Sequence, residues 1–432
     1  VGDGLTPELV VKYASAFGYL SKGKIVVGRD TRNTGEMIKN IVISSLIAVG
    51  CEVIDIGICP TPTVELAVLD LKAQGGIAIT GSHNSIEWNA LKFINSGGMF
   101  ITEAQKNKIE KLAQSETVKY SVWDKIGKVS KDSFQIEKHI RKILNLNLVN
   151  KEKIKARRFK IVIDCVNGAG SFACPILLEK LGCEVIKINC QNTGTFPHPP
   201  EPVPSNLTQL CDAVRQYQAD IGFAYDPDAD RLAIVSEKGE AIGEEYTLVL
   251  ATKYALSKKR GPVVVNLSTT KMIDDIAKIY NSPVHRTKVG EANVGLRLKQ
   301  SKGVIGGEGN GGVILPELHF GRDALMGTAL ILSYLAESKL AVSQAIEQIP
   351  KYYMLKKVIA VKQNFEKLLQ KFKTKYRRNI MNTRDGLRID LPEGWLHIRK
   401  SNTEPIARVI AEAKDKKQAE ELVNSALKFF KK

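Results

Sequence analysis

The feature that most constrains this chain is a pattern that occurs three times. Lys24-Ile25-Val26-Val27, Lys160-Ile161-Val162-Ile163 and Pro262-Val263-Val264-Val265 are short β-branched runs with a basic or Gly-flanked entry. Runs so short and so apolar read as strands buried on both faces of a largely parallel sheet. Each leads through a polar turn into a helical stretch, of which Met37–Val49 and Ala173–Leu181 are the clearest. A second strand follows at Cys51–Ile54, Cys183–Ile186 and Ser282–His285, and a third at Gly76–Ile79, Asp220–Ala224 and Gly303–Gly306. Strand–helix–strand–helix–strand in triplicate predicts three related α/β domains with mixed, largely parallel sheets.

Each third strand runs into an unusual polar loop. These read Thr80-Gly81-Ser82-His83-Asn84, Asp226-Pro227-Asp228-Ala229-Asp230-Arg231 and Gly307-Glu308-Gly309-Asn310-Gly311-Gly312. Ligands of open α/β sheets bind beyond the carboxyl ends of the strands. Three equivalent loops with different chemistry therefore point to one shared cleft. After residue 353 the pattern changes: strands at Lys356–Val361, Gly386–Leu391, Trp395–Arg399 and Arg408–Glu412, with helices at Phe365–Arg378 and Lys417–Phe430, describe a smaller α+β unit. The expected domains are 1–150, 151–252, 253–352 and 353–432, arranged around a central cleft.

Asp226, Asp228 and Asp230 alternate directly after a strand, and their hard oxygens suit Mg²⁺ or Ca²⁺ better than zinc. An EF-hand is excluded, because Arg231 stands where that loop needs glycine and Leu232–Val235 is an apolar strand. Ser82 is a weak nucleophile unless a base or metal activates it, and taken alone it reads equally as a turn residue. Glu308 and Asn310, among glycines and without a lysine, suit sugar hydroxyls better than phosphate. Arg399-Lys400-Ser401-Asn402-Thr403-Glu404-Pro405, with Arg408 beyond, offers cations, hydroxyls and turn N–H groups suited to phosphate.

These motifs together resemble the α-D-phosphohexomutases, a family that includes phosphoglucosamine mutases and phosphomannomutase/phosphoglucomutases. The likeness spans nearly the whole chain: Gly28-Arg29-Asp30-Thr31-Arg32, the serine loop with Asn89 and Lys92 following, Asn167–Gly170, the aspartate loop, Gly307–Gly312 and Arg399–Arg408. The resemblance implies a phosphoserine at Ser82 that donates its phosphoryl group to a hexose phosphate. A bisphosphorylated sugar then turns over in the cleft and returns the other phosphate to the serine. It also implies Mg²⁺ held by Ser82, Asp226, Asp228 and Asp230, with a hexose 1,6-bisphosphate as activator. By the same match Glu308 and Asn310 read sugar hydroxyls, and Arg399, Ser401, Asn402, Thr403 and Arg408 grip the phosphate that stays. His83, Lys92 and Arg231 would steady charge or move protons, and Arg29 is a further candidate. Many members end the sugar loop in Ser-Gly-His where this chain has Asn310-Gly311-Gly312, an ending that looks like the phosphoglucosamine mutase branch. Lys288 and His319 are candidates to replace that histidine. The family's segment before the first domain would lie ahead of Val1, which is not preceded by a Met.

Two other functions compete. A phosphatase using Asp226 as nucleophile would leave Ser82 and the Arg399–Pro405 loop without work. A nucleic-acid-binding protein would use the net charge of +17, from 63 Lys+Arg against 46 Asp+Glu. Aromatics make up only 6 % of the chain, however, and the one dense basic cluster, Lys371–Arg378, reads as a solvated helix face. The expected partners are small sugar phosphates, with no nucleic acid and no membrane. Seven cysteines without a CxxC spacing read as free thiols of a cytoplasmic protein.

Overall fold

The computed structural model describes all residues except 3, 116, 362–364, 401–405 and 431–432. Its first three sheets share one strand order. In the first, Lys24–Arg29 lies between Glu52–Ile58 and Gly75–Ile79, parallel to both. In the second, Lys160–Asp164 lies likewise between Glu184–Ile188 and Ile221–Tyr225, and in the third Val263–Asn266 lies between Val284–Thr287 and Ile305–Glu308. Helices cover both faces of these central strands, so Ile25, Val26 and Val27, like Val263, Val264 and Val265, are fully buried. That is why they read as unbroken apolar runs rather than alternating ones.

The repeat has a further member. Each third strand returns through its polar loop into an antiparallel neighbour: Leu91–Asn95, Leu232–Ser236 and Gly312–Ile314. The Gly307–Gly312 loop is consequently tighter than its glycines imply, because Glu308 already pairs with Gly312 across the hairpin. Gly311 has φ of +87° and a Cβ there would lie 2.4 Å from the Leu232 carbonyl oxygen, so only glycine fits. Leu232 N–H donates to the Gly311 carbonyl at 3.1 Å, and this bond ties the second sheet to the third. The first sheet alone gains an outer strand, Val129–Lys131, beside Glu52–Ile58.

The second and third sheets share one hydrophobic core. Helices Glu245–Lys258 and Ala324–Ser338 lie between them, and Leu325, Leu330, Ile331 and Leu332 are fully buried. Asp323 starts the second of these helices, its side chain accepting from Met326 N–H at 3.0 Å. Helix Gln135–Leu144 adds Ile140 and Ile143 to the same core.

The C-terminal sheet is antiparallel throughout, in the order Tyr353–Ala360, Ile406–Ala413, Gly394–Lys400, Leu387–Asp390, Ile380–Asn382. The last, a short edge strand, has no counterpart in the sequence reading. Helices Phe365–Lys375 and Lys416–Phe430 close a separate core through Phe365, Phe372 and Phe430. This sheet docks on the third through polar contacts: Lys271 N–H to Glu412 Oε2 (2.8 Å), Ser268 Oγ with His397 Nδ1 (2.9 Å), and Arg388 to the Leu267 carbonyl. Among the described residues no helix is long and apolar enough to cross a membrane. All seven cysteines are free.

Candidate active site

The four sheets meet at a cleft of about 430 Å³ lined by His83, Glu201, Arg231, Glu244, Glu245, Glu308, Asn310, Arg322, Lys356, Arg399 and Arg408. Ser82 approaches it from the first sheet. Its φ of +48° lies in the left-handed region, which costs a non-glycine residue on the order of 1 kcal/mol. Neighbouring bonds hold it there. Ser82 N–H donates to Thr80 Oγ1 (2.9 Å), and the Thr80 hydroxyl donates to Asp30 Oδ2 (2.7 Å). Arg32, fully buried, donates to the carbonyls of Ser82 (2.6 Å), Asn84 (2.7 Å) and Ser85 (2.5 Å). Asp30 balances its charge through Arg32 Nε at 3.0 Å, and the Phe196 ring lies over the guanidinium at 4.8 Å.

The basic residue that holds the serine loop is therefore Arg32, not Arg29. Arg29 turns away, to Glu36 at 3.0 Å and to the Asp30 carbonyl at 2.9 Å. Both stand in the same short motif, and only packing separates them.

Ser82 Oγ donates to Asp226 Oδ2 at 3.1 Å and lies 3.4 Å from His83 Nδ1. Ligand oxygens of Asp226, Asp228 and Asp230 all fall within 4.8 Å of one another. All three residues are buried. Asp226 Oδ1 accepts the N–H groups of Asp230 and Arg231, each at 3.1 Å. Asp228 Oδ2 accepts from Thr61 Oγ1 (2.5 Å) and Lys92 Nζ (2.6 Å), while Asp230 Oδ2 accepts from Lys92 Nζ (3.3 Å) and Arg322 Nη2 (2.7 Å). Asp228 Oδ1 and Asp230 Oδ1 are left without a hydrogen-bond partner. Buried orphan carboxylate oxygens are costly, and two of them beside Asp226 and a serine hydroxyl fit a hard divalent cation.

The electrostatics agree with that fit. Burial beside Asp230 and Asp228 pushes the Asp226 carboxyl well above its ordinary range. Burial also opposes ionisation of Asp230, but Arg322, Lys92 and Arg231 outweigh it and hold that carboxyl low. Burial works against the Lys92 charge as well, and Asp228 and Asp230 overcome it. Partial burial, with Arg231 nearby, lowers the His83 imidazole well below its ordinary range. Arg231 lies 3.7 Å from Asp230 Oδ1 and 3.5 Å from Glu201 Oε1.

Glu308 is buried at the end of its strand. Its Oε1 accepts from Asn266 Nδ2 and Gly290 N–H, both at 2.8 Å, and its Oε2 from Arg322 Nη1 at 2.7 Å. Asn310 sits at the hairpin tip, where Oδ1 accepts Gly312 N–H at 3.3 Å. Across the cleft Arg399 and Arg408 occupy directly paired positions of two antiparallel strands. Burial, together with the neighbouring Arg408, weakens the hold of Arg399 on its proton despite Asp385 nearby. Two guanidinium groups so placed favour an anion between or above them. Ser401, Asn402 and Thr403 lie outside the described residues.

The two replacement candidates lie elsewhere. His319 is buried away from the cleft, paired with Asp323 (3.1 Å) and Glu65 (3.2 Å). Lys288 is exposed beside a different cavity, between Thr102–Asn107 and Arg384–Gly386. Sequence reasoning missed Arg32, Arg322, Lys356 and Glu201. Glu201 stands on the proline-rich stretch after Ile188, and His198 clips that stretch to buried Asp164 at 2.9 Å.

Models of phosphoglucomutase/phosphomannomutase domains match in order: α/β/α domain I over residues 1–119, domain II over 137–239, domain III over 243–353, and the C-terminal domain over 342–428. A phosphoglucomutase/phosphomannomutase of Thermococcus kodakarensis is 39% identical across 99% of this chain and 95% of its own length. A Methanopyrus kandleri protein named probable phosphoglucosamine mutase is 36% identical across 98% and 93%. The crystal structure of a Burkholderia thailandensis phosphoglucomutase/phosphomannomutase family protein is 25% identical and superposes with a TM-score of 0.88, covering 100% of this chain and 94% of that one. A serine hydroxyl on a buried aspartate cluster, within a fold matched from end to end, places this chain in the phosphoglucomutase/phosphomannomutase family.

Proposed function

We propose that the protein interconverts the 1- and 6-phosphates of a hexose or hexosamine through a phosphoserine at Ser82 and a bisphosphorylated sugar. The observation that carries this reading is Ser82 Oγ at 3.1 Å from Asp226 Oδ2, in a cleft whose far wall presents Arg399 and Arg408. Phosphoryl transfer depends on positioning and charge stabilisation more than on covalent work by the protein. Each group then has a task. The Asp30–Arg32 pair fixes the serine loop, Lys92 and Arg231 offset charge at the transferring phosphoryl group, and Glu308 and Asn310 orient sugar hydroxyls. Arg399 and Arg408, with Ser401, Asn402 and Thr403, hold the phosphate that is not transferred. A Mg²⁺ ion on Asp226, Asp228, Asp230 and the serine oxygen would supply Lewis-acid neutralisation of phosphoryl charge.

Turnover inside the cleft requires the sugar to be bound in two orientations, and a hexose 1,6-bisphosphate restores any serine left unphosphorylated. A phosphatase nucleophile at Asp226 is disfavoured by its burial and its bond with Ser82. Four working units, 1–150, 151–252, 253–352 and 353–432, are part of the proposal. Packing supports moving helix Gln135–Leu144 to the second, where Ile140 and Ile143 are buried. Seven unpaired cysteines support a cytoplasmic setting.

Glucosamine phosphate is the proposed substrate, on the Asn-Gly-Gly ending and the name of the Methanopyrus kandleri relative. The name of the Thermococcus kodakarensis relative supports mannose and glucose phosphates as the second reading. Steady-state kinetics with all three, each primed with its 1,6-bisphosphate, separates them. A kcat/KM ratio of roughly a hundredfold or more in favour of glucosamine phosphate is expected, and parity would move the assignment to the second reading. Mass spectrometry of the intact protein should place a phosphate on Ser82; phosphate on Asp226 would sink the mutase reading.

A further inference from the structure

Arg322 is bonded to three segments of the cleft at once. Its Nε donates to Glu291 Oε2 (2.9 Å), Nη1 to Glu308 Oε2 (2.7 Å) and Nη2 to Asp230 Oδ2 (2.7 Å). The side chain is only 8% exposed, and all three carboxylates are more buried still. Its stem fills a space that another residue has given up. A Cβ at Gly312 would lie 2.2 Å from Arg322 Cδ and 2.9 Å from Cγ, so any side chain at 312 would drive the arginine out.

The bonds constrain two other groups in specific ways. Asp230 has one oxygen, Oδ2, engaged by Arg322 and Lys92, which leaves Oδ1, without a hydrogen-bond partner, for the aspartate cluster. Glu308 has Oε2 held by Arg322, and Oε1 held by Asn266 and Gly290. A planar guanidinium with fixed donor directions cannot release one carboxylate without reorienting toward the others. A lysine ammonium in its place could satisfy one carboxylate well, but not hold two at a fixed angle.

We propose that Arg322 is a positioning residue that couples the aspartate loop to the sugar loop. By fixing Asp230 and Glu308 on one rigid fork, it makes cation binding and sugar-phosphate binding strengthen each other. The inference rests on the mutase reading of the cleft. It also assigns Gly312 a role: the missing side chain makes room for the coupler.

The test measures binding rather than turnover. Mn²⁺ affinity of the unphosphorylated full-length protein is titrated by electron paramagnetic resonance, with and without glucosamine 6-phosphate. Wild type, Arg322→Lys, Arg322→Met and Gly312→Ala are compared, with thermal melting recorded for each. Wild type should bind Mn²⁺ about five- to fiftyfold more tightly when the sugar phosphate is present. Arg322→Lys and Gly312→Ala should bring that ratio close to one, with a lowered melting temperature because buried carboxylates lose a partner, but in protein that is still folded at the titration temperature. Arg322→Met should also weaken Mn²⁺ binding in the absence of sugar. A ratio retained in folded Arg322→Lys or Gly312→Ala overturns the proposal, as does a loss that merely follows the fall in melting temperature. Wild type that binds both ligands without mutual effect overturns it too. Wild type that binds no sugar phosphate and shows no mutase activity overturns instead the mutase reading. If the Arg322 variants do not fold, Gly312→Ala decides alone, since it displaces the fork without removing its charge.

Discussion

The two walls of the cleft handle charge in opposite ways. On the wall we propose to be catalytic, carboxylates and cations interlock: Asp226, Asp228 and Asp230 face Lys92, Arg231 and Arg322 at distances down to 2.6 Å, with little solvent access. On the far wall, Arg399 and Arg408 stand at paired positions of adjacent strands and line the cleft. The first arrangement is largely preorganised: it keeps three carboxylate oxygens within 4.8 Å of one another and does not need to move when charge develops. The second offers two guanidinium groups to an anion in the cleft, so it should contribute to binding rather than to the chemical step.

That contrast can be broken by experiment, beginning where the largest effect is expected. Ser82→Ala should lower kcat by roughly 10⁴-fold or more while changing KM little, measured by coupled assay with bisphosphate present. A comparable rise in KM would place binding work on the catalytic wall. Asp228→Asn should weaken Mn²⁺ binding on the order of a hundredfold by titration, because it removes an orphan oxygen and leaves Lys92 one buried anion fewer. Arg399→Gln and Arg408→Gln should each raise KM for the sugar phosphate about 10- to 100-fold, with kcat within a few-fold of wild type. A loss confined to kcat would mean that the far wall acts on the transition state after all.

The smallest effect concerns His319, behind the catalytic wall. Burial opposes its charge, yet Asp323 and Glu65 raise its pKa from 6.5 to about 9. The folded pKa is the higher one, so the stabilisation is fully present below pH 6.5 and is lost as pH rises through about 9. Chemical denaturation across that window should show a decline on the order of 1–3 kcal/mol, flattened in His319→Gln. An unchanged slope in the variant would assign the pH response to another group.

The threefold repeat was legible because its central strands are buried on both faces, and double burial leaves a continuous apolar run. The returning strands were harder to read. Leu91–Asn95 is only half-buried, and Gly312–Ile314 is three residues of a hairpin. The four polar loops could be read as chemistry because each carries its groups within a few residues. Arg322 could not, since its partners Asp230 and Glu308 lie on other loops and meet it only in the fold. Arg32 and Arg29 show the same limit at short range: the motif holds both, and only the direction of each side chain tells the loop clamp from the surface ion pair.

The common core of the second and third sheets has a practical consequence for anyone who would cut this chain into pieces. The three-part symmetry invites a division between Ser236 and Glu245, yet a break there would strip the second sheet of the helices Glu245–Lys258 and Ala324–Ser338 that cover it. Exposing side chains such as Leu330 and Ile331 would cost several kcal/mol between them, at about 25 cal/mol per Å² of apolar surface. The smallest excisable fragment from this region is therefore the pair of repeats taken together, while the C-terminal sheet, with its own aromatic core, is the natural candidate for separate expression.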